Sequence, residues 1–448
     1  MVIRIQKGFD IPIAGVAAKR VREGIRPPRV AIKPPDFPGL RPKVLVKPGD
    51  PVSIGTPLVE DKFNPAIRLV SPGGGKVAAV VRGERRRLEI ISVELDAQEK
   101  YETYPSHSLN ELNSLDRETI IRRLLAAGLW PLLKQRPYGK IADPAARPRS
   151  IYINGMDTEP LAADPEFLLR GKEEFFRAGL KLIAKLTEGK TYLCISGGCQ
   201  APALLNAEGV EVRKFSGPHP AGLVSTHIQL TEPYRKGDIL WYLRTTDVVH
   251  MGELFLSGKL NMERLIAVAG PGALDPCYVR TRAGVPVLAL AEDMCGTTPH
   301  RYISGTILTG QEEAPDDFLG FPATTMTILP LDQRKKFLGW LAPQFETHSW
   351  FRLYGGHFQK KLFRMGAMLH AGHRAILPIG CHEEMTPLDI HPLFLIKAIL
   401  AGDLEEAEDL GLLECVEEDM ALMTYVDPSK LNYGEILRQG LERHEKEG

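Results

Sequence analysis

Over the first hundred residues apolar and polar positions alternate with a period of two, the signature of half-buried strands. The alternation is plain in MVIRIQK at the N-terminus, in Lys43–Lys47 and in Leu88–Glu94. Gly49-Asp50, Gly55 and Ser71-Pro72-Gly73 punctuate it as turns between apolar runs. From Asp116 the period lengthens to that of a helix. Ile120, Ile121, Leu124 and Leu125 share one face behind an aspartate N-cap, and Gly128 stops the run. Ser150–Asn154 and Thr191–Ile195 are short, nearly continuous apolar runs of the kind buried in a parallel sheet. Between them Asp164-Pro165 opens a helical pattern that passes through Phe175, Phe176, Leu180, Ile183 and Leu186 to Gly189. It predicts one helix over 165–188. Strand, helix and strand then form a right-handed parallel unit. A helix at Ala201–Ala207, a strand at Val210–Phe215 and a helix at Asp247–Leu260 continue the alternation. Strand patterns return at Arg264–Ala269, Val285–Leu288, Arg301–Leu308 and Thr324–Leu329, separated by Gly and Pro. The last hundred residues predict helices at His391–Leu400, Leu404–Leu410, Glu417–Met423 and Tyr433–Glu445.

These shifts of period divide an α/β multidomain chain into four parts: a β domain over 1–100, an α/β domain over 101–260, a small β-grasp-like domain over 261–330, and a mixed, then helical, domain over 331–448. The length of 448 residues agrees with several domains. A formal net charge of zero gives the whole chain no reason to bind nucleic acid or acidic lipid. The basic run Arg82–Arg87 reads as a solvated strand edge. No run of 18 apolar residues occurs, and the N-terminus lacks the apolar core and cleavage site of a signal peptide. The expected location is therefore the cytosolic side. Six cysteines, none in a CxxC pair, read as buried reduced thiols.

The spacing within the first domain resembles the sandwich of biotinyl and lipoyl carrier domains, also termed a barrel-sandwich hybrid. Lys62 lies near the hairpin where carriers are modified, but Phe63-Asn64-Pro65 follows it and no EAMKM-like stretch is present. An unmodified structural sandwich is expected. His219 and His227, eight apart, lack the further ligands a metal would need and read as a loop feeding a helix. No G-x-G-x-x-G fingerprint and no Walker A lysine occur.

Several stretches in order carry a resemblance along nearly the whole chain: KGFDIPIAG (7–15), VEDKFNP (59–65), GLWPLL (128–133), RPYGKI (136–141), MDTEPLAADP (156–165), GPHPAGLVSTHI (217–228), AGPGALDPCYVRTR (269–282), KKLF (360–363), PLDIHP (387–392) and AGDLEEAEDLGLLE (401–414). They resemble the NqrA family, one of the component chains of sodium-translocating NADH:quinone oxidoreductases. The resemblance implies a barrel-sandwich domain, a Rossmann-like domain, a β-grasp domain of the SLBB type and a C-terminal helical domain. That architecture is shared with the flavin-binding subunit of respiratory complex I and with the RnfC family, whose members bind FMN, NADH or iron–sulfur clusters.

Set beside those relatives, two sites are altered. The complex I relative cradles the flavin phosphate with a glycine-rich loop at the position of Lys134–Ile141. Here that loop is KQRPYGKI, with one glycine and with Pro137, which has no N–H to donate. FMN and NADH are not expected there. A [4Fe–4S] cluster needs four placed thiolates, whereas the C-terminal domain has Cys381 and Cys415 alone, and Asp427-Pro428 stands where cluster-binding relatives have Cys-Pro. No cluster is expected. His370, His373, Cys381 and His382 fit no closed zinc site. The resemblance implies a peripheral subunit without flavin, cluster or metal, docked on the membrane subunits of the complex (NqrB foremost) at the cytoplasmic face of the bacterial inner membrane. It also implies a part in the quinone-reducing half of a reaction that uses NADH and flavins elsewhere and exports Na+. A quinone is the expected ligand: Trp130, Phe37 and Tyr138 offer stacking faces, and Lys140, Arg136 and Arg41 offer donors to a quinone oxygen. A docking subunit without ligand and a soluble flavin or NADH oxidoreductase are the alternatives.

Overall fold

The computed structural model describes residues 1–448 other than 25, 297, 332–340, 353, 369–371, 373 and 448. Among the described residues the strands form four sheets. Two belong to the sandwich: a four-stranded sheet in the order Arg29–Ile32, Leu88–Leu95, Gly75–Arg82, Pro51–Val52, and a three-stranded sheet of Pro42–Val44, Pro57–Asp61 and Arg68–Val70. Val30, Leu58, Ile91 and Val93 are fully buried in its core. Lys62 is exposed at the hairpin following Pro57–Asp61. The Arg82–Arg87 run lies at the exposed turn between two sandwich strands.

The strands of the two sandwich sheets begin at Arg29. Residues 1–23 supply strands to two other sheets. Val2–Arg4 pairs in parallel with Glu211–Ser216. Ala18–Glu23 pairs in parallel with Cys277–Arg282. The N-terminal alternation therefore marks strands correctly but not the sheets they join, because period says which face is buried and nothing of the partner.

The α/β domain holds a seven-stranded sheet in the order Val2–Arg4, Glu211–Ser216, Lys190–Ser196, Ser150–Gly155, Leu240–Arg244, Lys134–Arg136, Lys140–Ile141. The first five are parallel. The last two form a hairpin added antiparallel at the edge. Ile151, Tyr152, Ile153, Leu193 and Ile195 are fully buried, as expected of strands covered on both faces. The long helix expected over 165–188 is two helices, Pro165–Leu169 and Glu173–Ala184. They break at Gly171, whose φ of +75° ends a helical run. Gly179 and Gly252 let the Glu173–Ala184 and Thr245–Ser257 helices touch: a Cβ on Gly252 would lie 1.9 Å from the Phe175 carbonyl oxygen.

The third sheet runs Gln311–Glu313, His300–Ser304, Thr325–Pro330, Glu263–Ala269, Cys277–Arg282, Ala18–Glu23. Beside it the expected strand Val285–Leu288 runs instead into a short helix, Val287–Ala291, after Pro286. Its apolar run is buried against this sheet, and a continuous apolar run alone does not distinguish strand from helix. The C-terminal helices Pro392–Ala401, Leu404–Asp409, Glu417–Val426 and Tyr433–Glu447 pack around Leu395, Leu412, Met420, Tyr433, Leu437 and Leu441. They sit within a residue or three of their expected bounds.

Candidate functional site

After Ser150–Gly155 the chain adds Lys190–Ser196 and then Glu211–Ser216 on one side, and returns to place Leu240–Arg244 on the other. Connections leaving two adjacent parallel strands in opposite directions open a crevice at their carboxyl ends, the usual ligand position of such sheets. Here the crevice widens into a cleft of about 1770 Å³ where all four parts of the chain meet. Asn154, Asp157 and Arg244 come from the strand ends, Phe37 from the sandwich, Thr306 and Thr309 from the third sheet, and Glu418 and Arg438 from the C-terminal helices.

Short-range hydrogen bonds shape its floor. The Asn154 side chain donates to the Gly222 carbonyl at 2.9 Å, and Gly222 N–H donates to Thr158 Oγ1 at 2.9 Å. The two loops approach so closely that a Cβ on Gly222 would lie 2.6 Å from the Thr158 nitrogen. Arg244 bonds Asp247 through Nε and Nη2, both at 3.2 Å, and its Nη1 donates to the Pro322 carbonyl at 2.6 Å. Glu159 accepts from Thr309 Oγ1 at 2.8 Å and from Thr306 Oγ1, tying the α/β domain to the third sheet across the cleft. Enclosure by the cleft walls, then the neighbouring Asp157, holds the Glu159 carboxyl above the usual carboxylate range. Asp36 accepts from Phe321 N–H at 2.9 Å, and burial pushes it up to about 6.

The Lys134–Ile141 segment is a hairpin, with Lys134–Arg136 laddered to Leu240–Arg244 on one side and to Lys140–Ile141 on the other. Its expected ligand-binding residues separate. Trp130 is wholly buried, donates from Nε1 to the Ala142 carbonyl at 2.7 Å, and meets Trp241 edge-on at 5.4 Å. Arg136 is 2% exposed and donates to Ser225 Oγ, with Asp419 at 3.8 Å and the Tyr242 ring at 5.8 Å. Tyr138 meets His444, hydroxyl to Nδ1 at 3.2 Å, while its carbonyl accepts from Arg438 Nη1 at 2.7 Å. Lys140 pairs with Glu445 and lies 5.8 Å from the Tyr138 ring. The structure thus gathers Arg136, Tyr138 and Lys140 beneath the C-terminal helices. Phe37 stands on the cleft wall, its ring 6.0 Å from Phe321. Arg41 is exposed away from the cleft, its backbone N–H bonded to Asp61 Oδ1 at 2.8 Å.

Lys134, Asp157, Glu159, Tyr242 and Arg244 went unnoticed in the sequence. The signal for some of them was present: polar residues directly following the Ser150–Asn154 and Leu240–Arg244 strands mark the carboxyl edge of the sheet. Lys134 and Tyr242 required knowledge that an antiparallel hairpin lies beside the last parallel strand.

In the C-terminal domain Asp427 is wholly buried and accepts from the Tyr433 hydroxyl at 3.0 Å, with His382 Nε2 at 3.7 Å. Cys381 lies 3.7 Å from His382 Nδ1, and burial pushes its thiol up to about 11. Cys415 is buried elsewhere, against the carbonyls of Gly411 and Leu412. Among the described residues no group of three or more His, Cys, Asp or Glu is placed to hold a metal ion. His370 and His373 lie outside the described residues. His219 and His227 are buried and bonded to Thr158 Oγ1 and the Ala221 carbonyl respectively.

Three family models match in chain order: the NqrA N-terminal barrel-sandwich hybrid domain over residues 3–96, the NqrA second alpha/beta domain over 115–260, and the NQRA C-terminal domain, an SLBB model, over 265–314. The NqrA chain of the Na(+)-translocating NADH-quinone reductase of Pasteurella multocida strain Pm70 is 39% identical over 448 residues, covering all of both chains. Its counterpart from Actinobacillus pleuropneumoniae serotype 5b strain L20 is 40% identical over 450 residues, again covering both chains entirely. The chain belongs to the NqrA family. NqrA of Yersinia pestis is likewise 39% identical over 449 residues with full coverage. Among solved structures, the NAD+-reducing [NiFe]-hydrogenase in the H2-reduced state matches 76% of the chain and 63% of its own at 14% identity, with a TM-score of 0.42. The same enzyme in the air-oxidised state matches 53% of each chain at 16% identity, with a TM-score of 0.34.

Proposed function

We propose that the chain, as the NqrA component of a membrane-bound, sodium-pumping NADH:quinone oxidoreductase, serves the quinone-reducing half of its reaction. The observation that carries this is full-length identity of about two residues in five to relatives named as that component. No helix among the described residues is long and apolar enough to cross a membrane. A peripheral position on the membrane component NqrB, at the cytoplasmic face of the bacterial inner membrane, accords with that.

The chain works without flavin, cluster or metal of its own. Supporting this, the segment that would have to cradle a flavin phosphate is committed to strand ladders on both sides, and Pro137 has no N–H. Asp427, where a cluster would need a thiolate, is bonded into the core through Tyr433. The quinone takes the cleft wall made by Phe37, Leu132 and Tyr242, with Lys134 beside them. Lys134 makes no hydrogen bond or ion pair through its side chain among the described residues, so its ammonium is free to bond a quinone oxygen and stabilise the charge that develops there on reduction. Trp130, Arg136, Tyr138 and Lys140 act on this site by holding the hairpin that presents Lys134. Arg41 takes no part.

A short-chain quinone titrated into the pure chain should quench tryptophan fluorescence saturably, since Trp241 bonds Gln135, the neighbour of Lys134. Lys134→Ala should weaken binding about tenfold, the size of a lost charged hydrogen bond, and Phe37→Ala should weaken it as well. Absence of saturable quenching would overturn the quinone assignment. A flavin or cluster absorbance in the pure protein would overturn the cofactor-free reading.

A further inference from the structure

The 341–379 stretch carries five Lys and Arg residues against a single acid, Glu346, a local excess hidden by the neutral total. Within it, residues 344–352 and 354–365 form a strap along the cleft. Thr347, His348, Trp350, Phe351 and Tyr354 line the cleft. Phe345, Phe358 and Leu362 are 54%, 70% and 61% exposed and do not line the cleft.

Phe345 and Phe358 belong to one turn, and Leu362 follows on the same exposed stretch. The Phe345 ring lies against Gly355, where a Cβ would meet it at 2.5 Å, and Gly355 opens the single helical turn that ends at Phe358. Four residues on is Leu362. Next to Leu362, Phe363 points the other way: it is 2% exposed, accepts through its carbonyl from Ala14 N–H at 2.9 Å, and donates its own N–H to the Pro12 carbonyl at 2.7 Å. That inward anchor fixes the loop beside Leu362. Lys360, between Phe358 and Leu362 in sequence, is exposed and has no ion pair among the described residues. Lys361 is held by Glu346 at 2.9 Å.

An apolar loop tip with lysines on its flank suits the boundary between acyl chains and headgroups of an anionic bilayer. The aromatic and leucyl groups enter the apolar layer, and the ammonium groups stay with the phosphates. We propose that the exposed Phe345, Phe358 and Leu362, with Lys360 between the last two in sequence, are a lipid-contact surface through which this chain touches an anionic membrane directly. The occupant is set by charge: the patch is basic, as the inner leaflet surface is acidic. A neutral apolar protein interface would gain nothing from Lys360. Because the same strap lines the cleft, lipid contact brings the cleft close to the bilayer. The value of that for a lipid-soluble quinone rests on the reading of the cleft given above, whereas the lipid contact itself does not.

The full chain should co-sediment with vesicles of phosphatidylglycerol and phosphatidylethanolamine and hardly at all with vesicles of phosphatidylcholine. Added salt should weaken the binding. The double variant Phe358→Ser/Leu362→Ser should lower the bound fraction about tenfold or more, and Lys360→Glu by about fivefold or more on anionic vesicles. Phe394→Ser, an exposed aromatic on a different helix, should leave binding unchanged. Absence of binding to anionic vesicles, binding indifferent to the Phe358/Leu362 change, or binding that appears only on vesicles holding the membrane components of the complex would each overturn the proposal. Quinone titration reads a different quantity, so loss of one reading leaves the other standing.

Discussion

Arg136 and Asp419 join the hairpin to the C-terminal domain, and the effect of separating them is calculable. Both side chains are 2% exposed and lie 3.8 Å apart. Asp419 also accepts from the Ser225 hydroxyl at 2.5 Å and from Val416 N–H at 2.8 Å at the start of its helix. Burial pushes the Asp419 carboxyl up, with Arg136 opposing the shift. Asp419→Ala strands a buried guanidinium, which costs about 3–5 kcal/mol, and loses the helix-start bond, about 1 kcal/mol. Since the two losses overlap, about 4 kcal/mol is expected in all. Arg136→Met strands the carboxylate, which can escape by taking up a proton, so a smaller loss of about 2–3 kcal/mol is expected. The double variant Arg136→Met/Asp419→Ala removes both charges and should lie within about 2 kcal/mol of the parent. Urea unfolding of all four proteins, with limited proteolysis to detect release of the C-terminal helices, closes the cycle. A coupling energy below about 1 kcal/mol, or an Asp419→Ala loss below that figure, would refute the claim that this buried pair seats the domain.

His219 and His227 are buried neutral, and burial lowers them to about 4 and about 3. A histidine lowered by folding binds its proton more readily unfolded, so the stability it permits is complete above about pH 6.5 and is lost as pH falls. Each should take about 3 kcal/mol by pH 4, and His227→Gln, which keeps a donor for the Ala221 carbonyl, should flatten the slope measured by urea unfolding between about pH 6.5 and 4. Two glycines of similar φ separate backbone strain from steric exclusion. A Cβ at Gly171 (φ +75°) meets nothing within 4 Å, whereas one at Gly284 (φ +69°) would lie 1.8 Å from the Ala31 carbonyl oxygen. Gly171→Ala should cost about 1 kcal/mol in thermal or urea unfolding, and Gly284→Ala several times that, because it forces the sandwich away from the third sheet.

Much of this fold was legible because burial and period coincide. Ile151–Ile153 is apolar and covered on both faces, and the Tyr433–Glu447 helix carries a clear 3.6-residue stripe. Gly171 leaves no mark in the pattern because the apolar positions on either side keep helical register across it. Val285–Leu288 misled because buried helix and buried strand are equally apolar. The candidate ligand-binding residues were read from a loop, and loops reveal composition but not direction. Trp130 turned out to serve the core, Arg136 a domain contact, and Arg41 the surface. Lys134 reads in sequence only as part of a lost phosphate loop, since its place beside the cleft depends on strand pairing across a hundred residues of sequence.

The route of the first twenty-three residues bears on how the chain is made. Val2–Arg4 waits for Glu211–Ser216, and Ala18–Glu23 waits for Cys277–Arg282. At roughly 5–20 residues per second of synthesis, residues 2–23 have no partner strand for roughly 10–40 s after they are made and complete two sheets late. The sandwich, whose strands all lie between residues 29 and 95, can close long before. The nascent N-terminus must therefore stay extended and unaggregated beside a finished domain. A bulky N-terminal fusion would burden the biogenesis of the chain more than a C-terminal one.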